Sequence, residues 1–207
     1  MHTMGIPISI PGLDQFIHEI PKGNIIVIQG TIDPIKTIFT QILAGFAQKQ
    51  KKEVIYISSR AKEEICAELL EYTGSSHFQV VEERSHRHWK DFVKKDVVLI
   101  IDSFSYLVLD KSLSEVRMIL EELDSLCKQN NTILLLTLEY GMLDEKVQIT
   151  IGHLADGIIQ FLTKETSSGI ARFIRISKWM NRNSFTTNIY YTFDGTRINV
   201  DLRARVT

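Results

Sequence analysis

Cysteine is scarce, net charge is almost nil and long apolar runs are missing, and each shortage removes a class of protein. Only Cys66 and Cys127 occur. Both fall in helical patterns with no Cys or His at ligand spacing, so neither a disulfide framework nor a zinc site is indicated and both read as small core residues. The formal net charge is -1 with 24% charged residues, the balance of an ordinary globule rather than of a basic nucleic-acid binder, so any nucleic-acid surface has to be local. No apolar run is long enough to span a bilayer, and Met1 to Gly5 lack a basic stretch followed by an apolar one. A cytoplasmic protein without a membrane partner is expected. Repeats, low-complexity tracts and Pro/Gly/Ser linkers are also lacking, so residues 1–207 read as a single domain.

What is present is a 44% hydrophobic composition, enough for one substantial core. Asn24 to Gln29 is a short, β-branched run between Gly23 and Gly30, the pattern of a strand buried on both faces. Similar runs follow at Val54 to Ser58, Val97 to Ile101, Ile133 to Thr137 and Gly157 to Leu162. Helical periodicity fills Lys36 to Gln50, Ala61 to Tyr72 and Ser114 to Asn130. The alternation predicts βαβ units and a mostly parallel sheet with helices on both faces. Arg172 to Lys178, Thr187 to Phe193 and Arg197 to Asp201 instead alternate polar with apolar residues, with turn formers at Asn181 to Ser184 and at Asp194-Gly195. They predict an antiparallel C-terminal extension and about nine strands in all.

The loop after the first strand, Gly30-Thr31-Ile32-Asp33-Pro34-Ile35-Lys36-Thr37, follows the P-loop pattern G-x-x-x-x-G-K-S/T at Gly30, Lys36 and Thr37. A working loop turns successive N–H groups onto phosphate oxygens at a helix N-terminus, which its glycines permit. Here Ile35 replaces the last glycine, Pro34 has no N–H, and Asp33 adds negative charge. One lost amide contact to a charged group costs roughly 1.5–3 kcal/mol, so the three changes together predict a loss of several orders of magnitude in affinity. The plain alternative is that Lys36 and Thr37 merely open a helix. Val97 to Ile101 ends in Asp102, the layout that sets a carboxylate beside Mg²⁺; a cap on the following segment is the other reading. Thr37 and Asp102 are thus the candidate Mg²⁺ residues, Asp102 ending a strand expected to neighbour the loop strand.

Ile10-Pro11-Gly12-Leu13-Asp14, Ile20-Pro21-Lys22-Gly23-Asn24, the loop, the strand ending at Asp102, and Gly152-His153-Leu154-Ala155-Asp156-Gly157-Ile158-Ile159 occur in that order. Together they resemble the RecA-like superfamily, in its KaiC-like and archaeal RadA-paralogue branch, over about Ile8 to Asp201. The resemblance implies a RecA-like P-loop fold that assembles into rings or filaments with ATP and Mg²⁺ between subunits, its partners being further copies or a RecA/KaiC-like relative. It also exposes departures. Ser59 and Arg60 stand where the family carries strand-end glutamates, one of which activates the attacking water, a loss of roughly 10²- to 10⁴-fold in general-base help. Glu63 and Glu64 lie a helical turn further on. Lys178-Trp179-Met180-Asn181-Arg182 keeps Lys178 of a basic segment that reaches the neighbouring subunit but displaces the arginine. Thr137 matches a polar sensing position, or ends a strand structurally.

Three functions follow from these residues. The first is a catalytically degenerate regulatory or assembly protein with weak or no ATP binding. The second is an ATPase of recombination or repair, with Lys36, Thr37 and Asp102 intact and Glu63 or Glu139 as base. The third is an accessory subunit, like those of archaeal motility machines, that binds ATP without hydrolysing it. Three stretches stand outside the site. Arg84 to Lys90 mixes basic residues with Trp89 and reads as a nucleic-acid or acidic-partner contact or as a solvated face. His86 and His88 lack the further ligands of a metal site, and Arg203 and Arg205 read as a mobile tail or a phosphate contact. Phe185 to Tyr191 reads as an edge strand covered by its own hairpin or by another subunit.

Overall fold

The computed structural model describes residues 5–31, 33–85, 88–167, 169–180 and 188–201. Six strands run parallel: β3 (Ile25–Gly30), β4 (Val54–Ser58), β5 (Gln79–Glu82), β6 (Val98–Asp102), β7 (Ile133–Glu139) and β8 (Gly157–Thr166). Three more, β9 (Gly169–Trp179), β10 (Ile189–Phe193) and β11 (Ile198–Asp201), continue the sheet antiparallel, giving the order β11-β10-β9-β8-β3-β7-β6-β4-β5. A separate two-stranded pair, β1 (Ile6–Pro7) and β2 (Glu19–Ile20), precedes them. The expected α/β architecture, with its parallel centre and antiparallel extension, is observed.

Alternation along the buried strands divides the core in two. Ile26 and Ile28 of β3 face α1 (Ile35–Lys49) and α2 (Lys62–Thr73), packing with Phe39, Leu43, Ile65 and Leu69. Ile25 and Val27 face the other layer, where α4 (Leu113–Asn130) and α5 (Glu145–Leu154) supply Val116, Leu120, Val147 and Ile151. A single turn, α3 (Phe104–Leu107), follows β6. The lead-in segment closes the first layer: Ile6, Ile8, Ile10, Leu13, Ile17 and Ile20 are all buried in it. Cys127 is buried in α4 and Cys66 packs half-buried from α2. Among the described residues, no helix is long and apolar enough to cross a membrane.

The structure bears on several of these stretches. Trp89 is not a surface aromatic: it sits in a 3-10 turn (Trp89–Phe92), buried against Phe104 with ring centroids 5.5 Å apart. His86 and Arg87 lie outside the described residues, as do the turn at 181–184, the start of the expected edge strand at 185–187, and Arg203 and Arg205. The β10 strand is interior, held between β9 and its own hairpin partner β11. The α5 helix and the β5 strand were not expected. Only Val147 and Ile151 of α5 are buried, too narrow a stripe to register as a helical period.

The Gly152–Ile159 segment is a structural corner. The Asp156 carboxylate accepts the N–H of Ile25 through Oδ2 at 2.8 Å, and the Asp156 backbone N–H donates to the Ile25 carbonyl at 2.8 Å. A Cβ on Gly157 would lie 2.8 Å from Ile26 Cδ1 and 2.9 Å from the Trp179 ring, so only glycine admits this strand approach.

Candidate functional site

The carboxyl ends of β3, β4, β6 and β7 meet at one edge, where open α/β sheets place their ligands. The strand bearing Asp102 does not neighbour the loop strand: β7 is intercalated between β3 and β6. Register pairs Ile28 with Thr137 and Gly30 with Glu139, so β7 brings two polar side chains between the loop and Asp102. Gly30, Lys36, Thr37 and Asp102 all converge on this corner, and Thr37 and Asp102 line one cleft of about 690 Å³ with Ser59, Arg60, Ser103 and Glu139. Arg84, Tyr106 and Met142 complete its wall.

The loop is bound to itself. Asp33 N–H donates to the Thr31 carbonyl at 2.7 Å, Pro34 has no N–H, and Ile35 N–H donates to Asp33 Oδ1 at 2.9 Å. Three consecutive positions therefore offer no free amide. The Ile35 side chain does not project into the loop; it is buried in the core layer with Phe39 and Ile28. Lys36 is 3% exposed, and its ammonium donates to the carbonyls of Thr31 and Asp33, the latter at 3.1 Å. Its folding back requires Gly30, where a Cβ would meet Lys36 Cδ at 3.1 Å and the Phe161 carbonyl oxygen at 3.0 Å.

Glu139 is the acid nearest that ammonium, with Oε1 3.9 Å from Lys36 Nζ. Its Oε2 accepts both the Ser103 and Ser105 hydroxyls, and its N–H donates to Ser105 Oγ at 3.2 Å. Burial pulls the Lys36 ammonium below its usual 10.5, while Glu139, Asp102 and Asp33 pull the other way. Asp102 is also engaged: Tyr56 OH donates to Oδ2 at 2.6 Å and Thr137 Oγ1 to Oδ1 at 2.5 Å. Burial, with Asp102 alongside, holds the Tyr56 phenol well above 10.0. Asp102 thus ends its strand as a hydrogen-bond acceptor inside the fold, with Ser103, not Asp102, capping α3.

The other expected residues divide. Arg60, at the strand-end position, donates to Glu68 at 3.1 Å and to Glu64 at 3.3 Å, while Glu63 is exposed on α2 and outside the cleft. Of the two candidate bases, only Glu139 reaches the site. Lys178 donates to the Gly152 and His153 carbonyls, at 3.2 and 2.9 Å, capping the end of α5 within its own chain. Arg182 lies outside the described residues. Among the described residues, no three His, Cys, Asp or Glu side chains are grouped to hold a metal. Tyr56, Ser103 and Ser105 were missed, since nothing in their local pattern points to a site.

No protein-family model matches the chain, and no curated protein matches it. Solved structures do. The flagellar accessory protein FlaH from Methanocaldococcus jannaschii is similar at a TM-score of 0.72 and 20% identity, over 95% of this chain and 98% of that one. A KaiC-like protein from the hyperthermophilic archaeon Pyrococcus horikoshii is similar at a TM-score of 0.76 and 18% identity, over 96% and 99%. The chain therefore has, across nearly its whole length, the RecA-like fold that these archaeal proteins share.

Proposed function

We propose that this chain is a catalytically degenerate RecA/KaiC-like protein of the cytoplasm, retained for regulation or assembly, which binds ATP weakly or not at all and does not turn it over at a useful rate. The observation that carries the reading is the loop bound to itself, with Asp33 on the Ile35 amide and Lys36 on the loop carbonyls. A polyphosphate needs those amides and that ammonium, so the residues present do not fit it as they stand. Thr37 and Asp102 share the cleft in the way a Mg²⁺ site would need, but both Asp102 oxygens already accept hydroxyls. With the site relieved of turnover, the fold serves self-association or docking on a RecA/KaiC-like relative. Calorimetric titration of the chain with MgATP is expected to show no micromolar binding. A micromolar dissociation constant would overturn the reading.

A second reading has one observation in its favour: Glu139 stands in the cleft beside Lys36 and could serve as the base of an ATPase in recombination or repair. It requires steady phosphate release from MgATP that Lys36→Ala abolishes. The fold shared with FlaH, a flagellar accessory protein, supports in the same way an accessory subunit that binds ATP without hydrolysis. For that reading, MgATP binds tightly and no phosphate is released.

A further inference from the structure

Two obstacles could keep a polyphosphate from this loop, the bulk of Ile35 and the charge around Lys36, and they predict different repairs. Bulk is the weaker candidate, since the Ile35 side chain is buried in the core with Phe39 and Ile28. Charge is present at two places. The Asp33 carboxylate occupies the Ile35 N–H at the head of α1, where the helix end favours an anion. Glu139 sits 3.9 Å from the Lys36 ammonium, its other oxygen held by Ser103 and Ser105. Those serines make Glu139 a fixed acceptor rather than a swinging side chain. Resting on the degenerate reading above, we infer that Asp33 and Glu139 are the residues that set this site against polyphosphates, as built-in anions standing where phosphate oxygens would lie. An incoming polyphosphate has to displace one carboxylate from the helix amide and share the lysine with the other, against like charge at close range.

The substitutions separate charge from occupancy. Glu139→Gln keeps an oxygen for both serine hydroxyls and removes the charge. Asp33→Asn keeps an acceptor for the Ile35 amide, whereas Asp33→Gly frees that amide as well. Inorganic pyrophosphate is titrated calorimetrically into the full chain, the two single isosteric variants, the Asp33→Gly/Glu139→Gln double variant and Ile35→Gly, each checked for a cooperative thermal transition. Each isosteric change is expected to tighten pyrophosphate by roughly tenfold, and the double variant by about a hundredfold, tenfold corresponding to about 1.4 kcal/mol. The inference is overturned if the isosteric variants fold cooperatively and bind no more tightly than the unaltered chain, or if Ile35→Gly alone restores binding. Tight MgATP binding by the unaltered chain would sink the degenerate reading instead, so the two failures are told apart.

Discussion

The two ends of β3 carry the same interaction put to opposite uses. At its start, the Asp156 carboxylate accepts the Ile25 N–H at 2.8 Å; past its end, the Asp33 carboxylate accepts the Ile35 N–H at 2.9 Å. Hydrogen bonds to a charged group contribute roughly 1.5–3 kcal/mol when buried. At the first end that bond joins residues far apart in the chain and locks β8 onto β3, with Gly157 allowing the contact. At the second it joins neighbours and closes a loop at the carboxyl edge of the sheet. The difference teaches that a polar motif is best judged by whom it serves: the Asp156 corner serves the sheet, while the Asp33 loop serves only itself and denies its amide to anything else.

The comparison is sharpened most strongly by Ile35→Gly. Ile35 is buried, and removing a large aliphatic core side chain costs about 3–5 kcal/mol. An unfolding free energy from chemical denaturation lowered by that much would show Ile35 to be a core residue whose presence answers to packing. A loss under about 1 kcal/mol, the range of surface substitutions, would mean that its side chain lies in the loop. Next in size is the paired test of Asp156→Ala and Asp33→Ala. Both bonds are part-buried, but the first joins residues 131 apart and should cost about 2 kcal/mol when lost, whereas the second joins residues two apart, a turn the chain forms locally, and should cost about 1 kcal/mol or less. Equal losses in urea denaturation would break the contrast between the two ends.

How much of this was legible without the fold depends on the range of each contact. The runs at Val54 to Ser58 and Ile133 to Thr137 announce buried strands because composition and length are local properties, and the strands found there are Val54–Ser58 and Ile133–Glu139. The loop's missing glycine and the acids Asp33 and Asp102 are likewise visible in place. The partners of those acids are not. Tyr56 reaches Asp102 from 46 positions away, and Ser103 and Ser105 reach Glu139 across 36 and 34. They meet because β6 lies between β4 and β7, and β7 is itself inserted between β3 and β6, a strand order that one sequence does not specify. The same insertion makes Glu139, one of two candidate bases, the acid beside Lys36, and Ile35, which stands in place of the last glycine, turns inward to a core contact.

The smallest effect belongs to Lys36 itself. Its ammonium is held below the usual 10.5 by burial, so in the folded chain it gives up its proton at a lower pH than in the unfolded chain. Between the depressed folded value and 10.5 the unfolded state therefore binds more protons, and stability must rise with pH across that window. Tyr56 acts in the opposite direction at the upper end: its phenol titrates well above 10.0 in the fold, so the unfolded chain loses that proton first and stability falls once pH passes 10. The Lys36 contribution is isolated by difference. Lys36→Met keeps the buried stem, removes the titrating amine and leaves Tyr56 in place. Urea denaturation from neutral pH to pH 10.5 should show the unaltered chain gaining stability relative to Lys36→Met as pH rises. A parallel pH dependence for the two proteins would mean that Glu139, Asp102 and Asp33 together offset burial, and that the lysine is held as a stable charge at the loop end of β3.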